Sequence, residues 1–130
     1  MAKEDILQQW LYKANDDLRA AEYLSTMQYP TPDEIICFHC QQSAEKYLKA
    51  FIFIHNIEPE KTHDLEELVR ICQEHNALFA SLLPKLQFLN DYAVMPRYPN
   101  ELGITGNDVQ TAIQYARDVQ GFVLKIIDSS

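Results

Sequence analysis

DEIICFHCQQSAEKYLKAFIFIH, residues 33–55, is the stretch whose reading decides the fold. Within it Ile36, Cys40, Ala44, Tyr47, Phe51 and Ile54 recur at steps of three and four, which stacks them on one face of a helix of about 3.6 residues per turn. A second apolar line through Cys37, Leu48 and Ile52 leaves the C-terminal half apolar nearly all round, the pattern of a helix with neighbours on several sides. Gln42, Glu45, Lys46 and Lys49 share the one polar strip that remains, with Gln41 at its border. The strip reads either as the helix's wet face or as a patch for a ligand. Pro30-Thr31-Pro32-Asp33 breaks any preceding helix and supplies a cap and acidic first-turn residues for this one. His55-Asn56, with Pro59 close behind, marks its end.

Working outward, Ile6, Trp10, Ala14, Leu18, Ala21 and Leu24 form an amphipathic stripe between Lys3 and about Met27, a first helix that packs on the central one. Lys13, Asp16, Asp17, Arg19 and Glu22 fall mostly off that stripe and read as a solvated face, or, for Asp17, as the lining of a polar site. Beyond the central helix, Thr62 or Asp64 can cap a short third helix with Leu65, Leu68, Val69 and Cys72 on its apolar face, ending near His75-Asn76. A fourth stripe runs through Leu78, Leu82, Leu86, Leu89 and Ala93, with Pro84 tolerated in the first turn of a helix that starts near Ser81. From Val94 to Gly106 the period breaks. Thr105-Gly106-Asn107-Asp108 then matches a capping box, and Val109, Ala112, Ala116, Val119, Val123 and Ile126 carry a last helix, in which Gly121 either weakens the helix somewhat or permits a close helix contact.

The reading is therefore an all-α chain: a single domain over residues 1–130, an up-and-down four-helix bundle with one additional short helix. Trp10, Leu18, Cys40, Ala44, Leu48, Phe51, Leu86, Leu89, Ala116 and Val119 are its expected core. The longest uninterrupted apolar run, Ala50 to Ile54, is far too short for a membrane span, and a charged N-terminus does not read as a leader, so a cytoplasmic protein with no membrane contact is expected. Three cysteines, an odd number, fit reduced and mostly buried thiols. A formal net charge of −8, from 19 acidic and 11 basic residues, argues against a broad grip on a phosphate backbone and leaves room only for a local one.

Cys37, His39 and Cys40 look like metal ligands when taken together, but a structural zinc site needs a second pair converging on them. Thiols on an apolar helix face are more often core fillers, so no metal and no cofactor is expected. A di-iron bundle needs two Glu-x-x-His pairs, and only Glu60 with His63 has the spacing. No nucleophile elbow and no glycine-rich phosphate loop occurs.

What remains is an ordered set: Asp17-Leu18; Gln41-Gln42-Ser43-Ala44-Glu45-Lys46-Tyr47-Leu48-Lys49-Ala50; His63-Asp64-Leu65; and Arg97-Tyr98-Pro99. Order, spacing and length resemble the HEPN domain (higher eukaryotes and prokaryotes nucleotide-binding), over nearly the whole chain. The resemblance implies a helical bundle, usually a homodimer, often paired with a minimal nucleotidyltransferase as a two-component module of the toxin–antitoxin kind. It places a nucleotide- or RNA-binding patch at Lys46, Lys49, His63, Asp64, Arg97 and Tyr98, where basic side chains can hold a phosphate and a tyrosine can stack a base.

Many relatives are metal-independent ribonucleases with an Arg-x(4–6)-His motif. Here the arginine corresponds to Arg97, and no histidine follows between Tyr98 and Ile104, so the catalytic pair is incomplete. Arg70 and His75 have the spacing but lie at the end of the short third helix. Three functions follow: a nucleotide- or RNA-binding module working with a nucleotidyltransferase, an endoribonuclease, or a non-catalytic dimeric adaptor. Apolar surplus on the second and fourth helices would suit a homodimer.

Overall fold

The computed structural model describes residues 2–28, 30–93 and 103–129. Helix α1 (Lys3–Leu24) is followed by α2 (Asp33–Ile54), α3 (Leu65–His75), a 3₁₀ turn (Ala77–Leu82), α4 (Leu83–Asn90) and α5 (Gly106–Asp128). Among the described residues every regular element is helical.

Helix α2 is the axis of the bundle, because it touches α1, α3, α4 and α5, most extensively α1 and then α5. Its apolar lines explain why: 13 of its 22 residues are buried, which no amphipathic surface helix could satisfy. Of the expected core residues, Leu18, Cys40, Ala44, Leu48, Phe51, Leu86, Leu89, Ala116 and Val119 are buried. Trp10 is the exception and is only half-buried. On α1 the buried line is Leu7, Ala14, Leu18 and Ala21; steps of four from Ala14 back through Trp10 to Ile6 drift off that line, since four residues overshoot one turn.

Local chemistry sets several helix ends but not the start of α2, where Pro32 stands at the N-cap with no side-chain hydrogen bond, so neither Thr31 nor Asp33 caps it as expected. Asp64 caps α3 by accepting from the Glu66 amide at 3.0 Å, and Asn76 caps the 3₁₀ turn by accepting from Leu78. The capping box at Thr105 and Asp108 is formed in both directions. At the C-terminus of α2, Asn56 takes φ +63°, a conformation asparagine tolerates, and Lys3 Nζ reaches over to the Ile54 carbonyl at 2.9 Å and to Asn56 Oδ1 at 2.7 Å. A cation there also complements the negative end of the helix dipole.

The fourth stripe needs correction. Regular helix starts at Leu83, not near Ser81, and α4 is only 8 residues long. The six residues before it form a 3₁₀ turn, whose period is about three, so the buried pair is Phe79 and Leu82 and not Leu78 and Leu82. Leu78 is 64% exposed. Phe79 sits between Phe51 and Phe122, with ring centroids at 4.4 Å and 4.9 Å, and clamps this turn between α2 and α5.

Candidate functional site

The polar strip of α2 is not a wet face. Gln41 and Ser43 are fully buried, Glu45 is 4% exposed and Lys49 is 7% exposed. Their partners come from the two sides of the helix and divide the strip into two seams.

On one side, Gln41, Glu45 and Lys49 step by four along α2 toward the start of α3. Lys49 Nζ donates to Glu45 Oε2 at 3.1 Å, and His63 Nδ1 donates to Glu45 Oε1 at 2.8 Å. Gln41 Nε2 donates to the His63 carbonyl at 2.9 Å, and Gln41 Oε1 in turn accepts from Gln42 Nε2 at 2.7 Å. A single carboxylate therefore serves one ammonium group and one imidazole. Because the carboxylate can only accept, it fixes the proton on Nδ1 and leaves Nε2 of neutral His63 as a lone-pair acceptor. The His63 side chain is 61% exposed, so the triad opens to solvent through that ring.

The other side repeats the arrangement. Asp17 of α1 takes Lys46 Nζ on Oδ2 and His39 Nδ1 on Oδ1, the latter at 2.9 Å. Its side chain is 14% exposed, and those of Lys46 and His39 are 22% and 28% exposed. Next to this seam, Ser43 Oγ donates to the Ala14 carbonyl at 2.8 Å, which closes the α1–α2 contact without an unpaired hydroxyl. Asp17 thus belongs to a polar site and not to the solvated face shared by its neighbours Asp16 and Arg19.

Of the six residues expected to form the patch, Lys46, Lys49 and His63 lie along these two seams. Asp64 adjoins His63 but is occupied as the cap of α3, where its Oδ1 also accepts from Asn90 Nδ2 at 3.0 Å. Arg97 and Tyr98 lie outside the described residues. The structure adds His39 and places Asp17 in a polar site, one of the two readings its sequence position offered. His39 precedes Lys46 by seven residues, two turns of helix, and that spacing was the available signal; grouping it with Cys37 and Cys40 obscured it.

The three thiols are free and buried. Burial first, and nearby carboxylates second, push Cys37 up to about 12, and burial pushes Cys72 up to about 12; Cys40 is raised further. They are core fillers, held as thiols at neutral pH. Arg70 is exposed, while the His75 ring is stacked on His55 with centroids 4.3 Å apart.

The HEPN domain family model matches residues 7–127. Two crystal structures share the fold. An archaeal HEPN homologue, ST0689, is 24% identical over 93% of this chain and 97% of its own, with a TM-score of 0.71. TT1696 from Thermus thermophilus is 23% identical over 92% of this chain and 96% of its own, with a TM-score of 0.76. No match was found among curated proteins. A family match that runs from the first core residue of α1 to the last turn of α5 takes in both seams, and the chain belongs to the HEPN domain family.

Proposed function

We propose that this chain is a nucleotide- or RNA-binding module whose site runs along the polar seams of α2. Lys46, Lys49 and His63 form its described part, Asp64 fixes the turn that carries His63, and Arg97 and Tyr98 complete it as the family resemblance implies. The observation that carries this reading is the burial of Glu45 and Lys49 beneath an exposed His63. A buried ion pair about breaks even against apolar side chains of similar volume, so stability alone gives no reason to keep one at the centre of a bundle. Preorganised charges next to a solvent-facing imidazole are what recognition of a phosphate or a ribose hydroxyl uses.

Charge supports the same place. The two seams balance two lysines against two carboxylates, on a chain whose net charge is −8. A phosphate meets less repulsion there than over the rest of the surface. An incoming phosphate oxygen competes with Asp17 for Lys46.

The test is calorimetry with short single-stranded RNA at low salt. His63→Gln and Lys46→Gln are each expected to weaken binding by about 1–3 kcal/mol, the range for a charge-assisted hydrogen bond, and Arg97→Ala by a similar amount with little change in stability. Absence of any binding by the wild type would leave the second reading, a non-catalytic adaptor. One observation favours that reading: both lysines already have carboxylate partners. The partner proposed from the family is a minimal nucleotidyltransferase, in a toxin–antitoxin-like pair, with this chain as a homodimer. Co-purification from the native host and sedimentation at tens of micromolar test these two points. Cleavage of RNA in excess chelator would place the chain among the metal-independent endoribonucleases instead.

A further inference from the structure

Helix α1 has a second face besides the one it gives to the core. Ile6, Trp10, Lys13 and Asp17 step by four, three and four, so they stack on one flank, beside the core line of Leu7, Ala14, Leu18 and Ala21. Ile6, Gln9, Trp10 and Lys13 of this flank, with Lys46 of α2, line a hollow of about 350 Å³. Asp17, one turn further along α1, holds the Lys46 ammonium group at its edge. Among the described residues Lys46 makes its ion pair with Asp17, and Lys13 makes none.

The lining defines what fits. An indole and an isoleucine give an apolar wall, two ammonium groups give a cationic rim, and the volume lies at the small end of the range of roughly 300–1,000 Å³ for ligand sites. That is room for one base with its sugar and phosphate, and too little for a folded segment. Trp10 is half-buried, which holds the ring in place while leaving part of it open to the hollow. An aromatic platform beside lysines is how proteins grip a base and its phosphate without reading sequence.

We propose that this hollow is a nucleotide subsite, with one base stacked on Trp10 and its phosphate held between Lys13 and Lys46. The proposal rests on the nucleotide-binding reading above and adds an aromatic platform on α1. The ligand is a nucleoside monophosphate unit, free or within an RNA strand.

Trp10 is the one tryptophan of the chain, so indole emission reports from this site alone. The full chain is titrated with AMP and, separately, with a short oligoadenylate at low salt, following tryptophan emission and the heat of binding in parallel. Saturable quenching is expected. Quenching by AMP as well as by the oligomer identifies a free-nucleotide site; quenching by the oligomer alone identifies an RNA strand. Lys13→Gln is expected to weaken the titration at least about 5-fold, and Trp10→Leu to weaken the heat-detected binding by roughly 5- to 150-fold, the range for losing one stacked base. Should Trp10→Leu fail to fold, Lys13→Gln decides, because Lys13 is exposed and outside the core. Heat of binding without quenching, or an unaffected Lys13→Gln, overturns this subsite while leaving nucleotide binding elsewhere along the seams. Neither heat nor quenching with either probe overturns both.

Discussion

Replacing Glu45 by glutamine keeps the shape of the side chain and removes its charge. Lys49, 7% exposed, is then left with a neutral amide and no anion. Breaking a buried pair in this way costs about 3–5 kcal/mol, most of it the burden of the uncompensated charge. Two features of the site lower that figure. The glutamine carbonyl still accepts a hydrogen bond, and His63, with its side chain 61% exposed, can turn to water. The expected loss for Glu45→Gln is therefore about 2–3 kcal/mol. With a urea slope of about 1–3 kcal/mol per molar for a domain of this size, the unfolding midpoint followed by circular dichroism should fall by on the order of 1 M. The double variant Glu45→Gln/Lys49→Met removes the stranded ammonium group and should recover most of the loss, giving a coupling energy above about 1 kcal/mol in the cycle. If Glu45→Gln lies within about 0.5 kcal/mol of wild type, the reasoning fails, because Lys49 then does not depend on this carboxylate. It fails equally if Lys49→Met costs the same in both backgrounds.

Gly121→Ala is expected to stabilise by about 0.5–1 kcal/mol in the same assay: the site is exposed, helical, and free of neighbours that an added Cβ would meet. Its opposite, a loss of more than about 0.5 kcal/mol, would mean a close helix contact at Gly121. His55 has a pKa lowered from 6.5 by burial first, then by the charges of His75 and Lys3, and its buried Nε2 has no hydrogen-bond partner among the described residues. The unfolded chain binds this proton more readily, so the contribution of His55 is intact above about pH 6.5 and is lost as pH falls through the lower folded value. His55→Phe should flatten the decline in urea stability between about pH 7 and pH 5, and an unchanged slope would assign the decline to other groups. The three thiols, raised by burial, should react with a disulfide reagent only after unfolding in urea; rapid labelling of the native chain would contradict their placement.

Periodicity made the bundle legible because helices are repeats of a local rule. The lines through Ile36 and Cys37, the cap at Asp64 and the capping box at Thr105 each involve neighbours within a few positions, and each appears in the structure as expected. Leu78 and Trp10 show where the rule stops. Leu78 obeys a step of four, but the turn it sits in winds with a step of three, and nothing nearby in the chain announces the change before Pro84. Trp10 lies on a stripe that is helical but drifts, and hydrophobicity alone does not tell the core line from a flank beside it.

The seams were legible as residues and not as a structure. Glu45, Lys46 and Lys49 are polar letters on a polar strip, and whether such a strip faces water depends on what α1 and α3 bring against it. Asp17 lies 29 positions from Lys46, and His63 lies 18 from Glu45. Those pairings explain the spacing of the Gln41-Gln42-x-x-Glu45-Lys46-x-x-Lys49 run in physical terms. Residues 41, 45 and 49 share the line that faces the start of α3, while 39 and 46 share the line that faces α1. Glu45 and Lys46, adjacent in the run, thus serve different neighbours: Glu45 reaches His63 and Lys46 reaches Asp17. A run built only to solvate α2 would need neither partner, and one built only to fill the core would carry no charge. The interleaving joins three helices through charged groups and leaves one imidazole of each triad facing outward, His63 more than His39. It therefore ties the position of those imidazoles to the packing of the bundle, so a variant that loosens α1 or α3 should disturb the proposed binding without touching a proposed ligand contact.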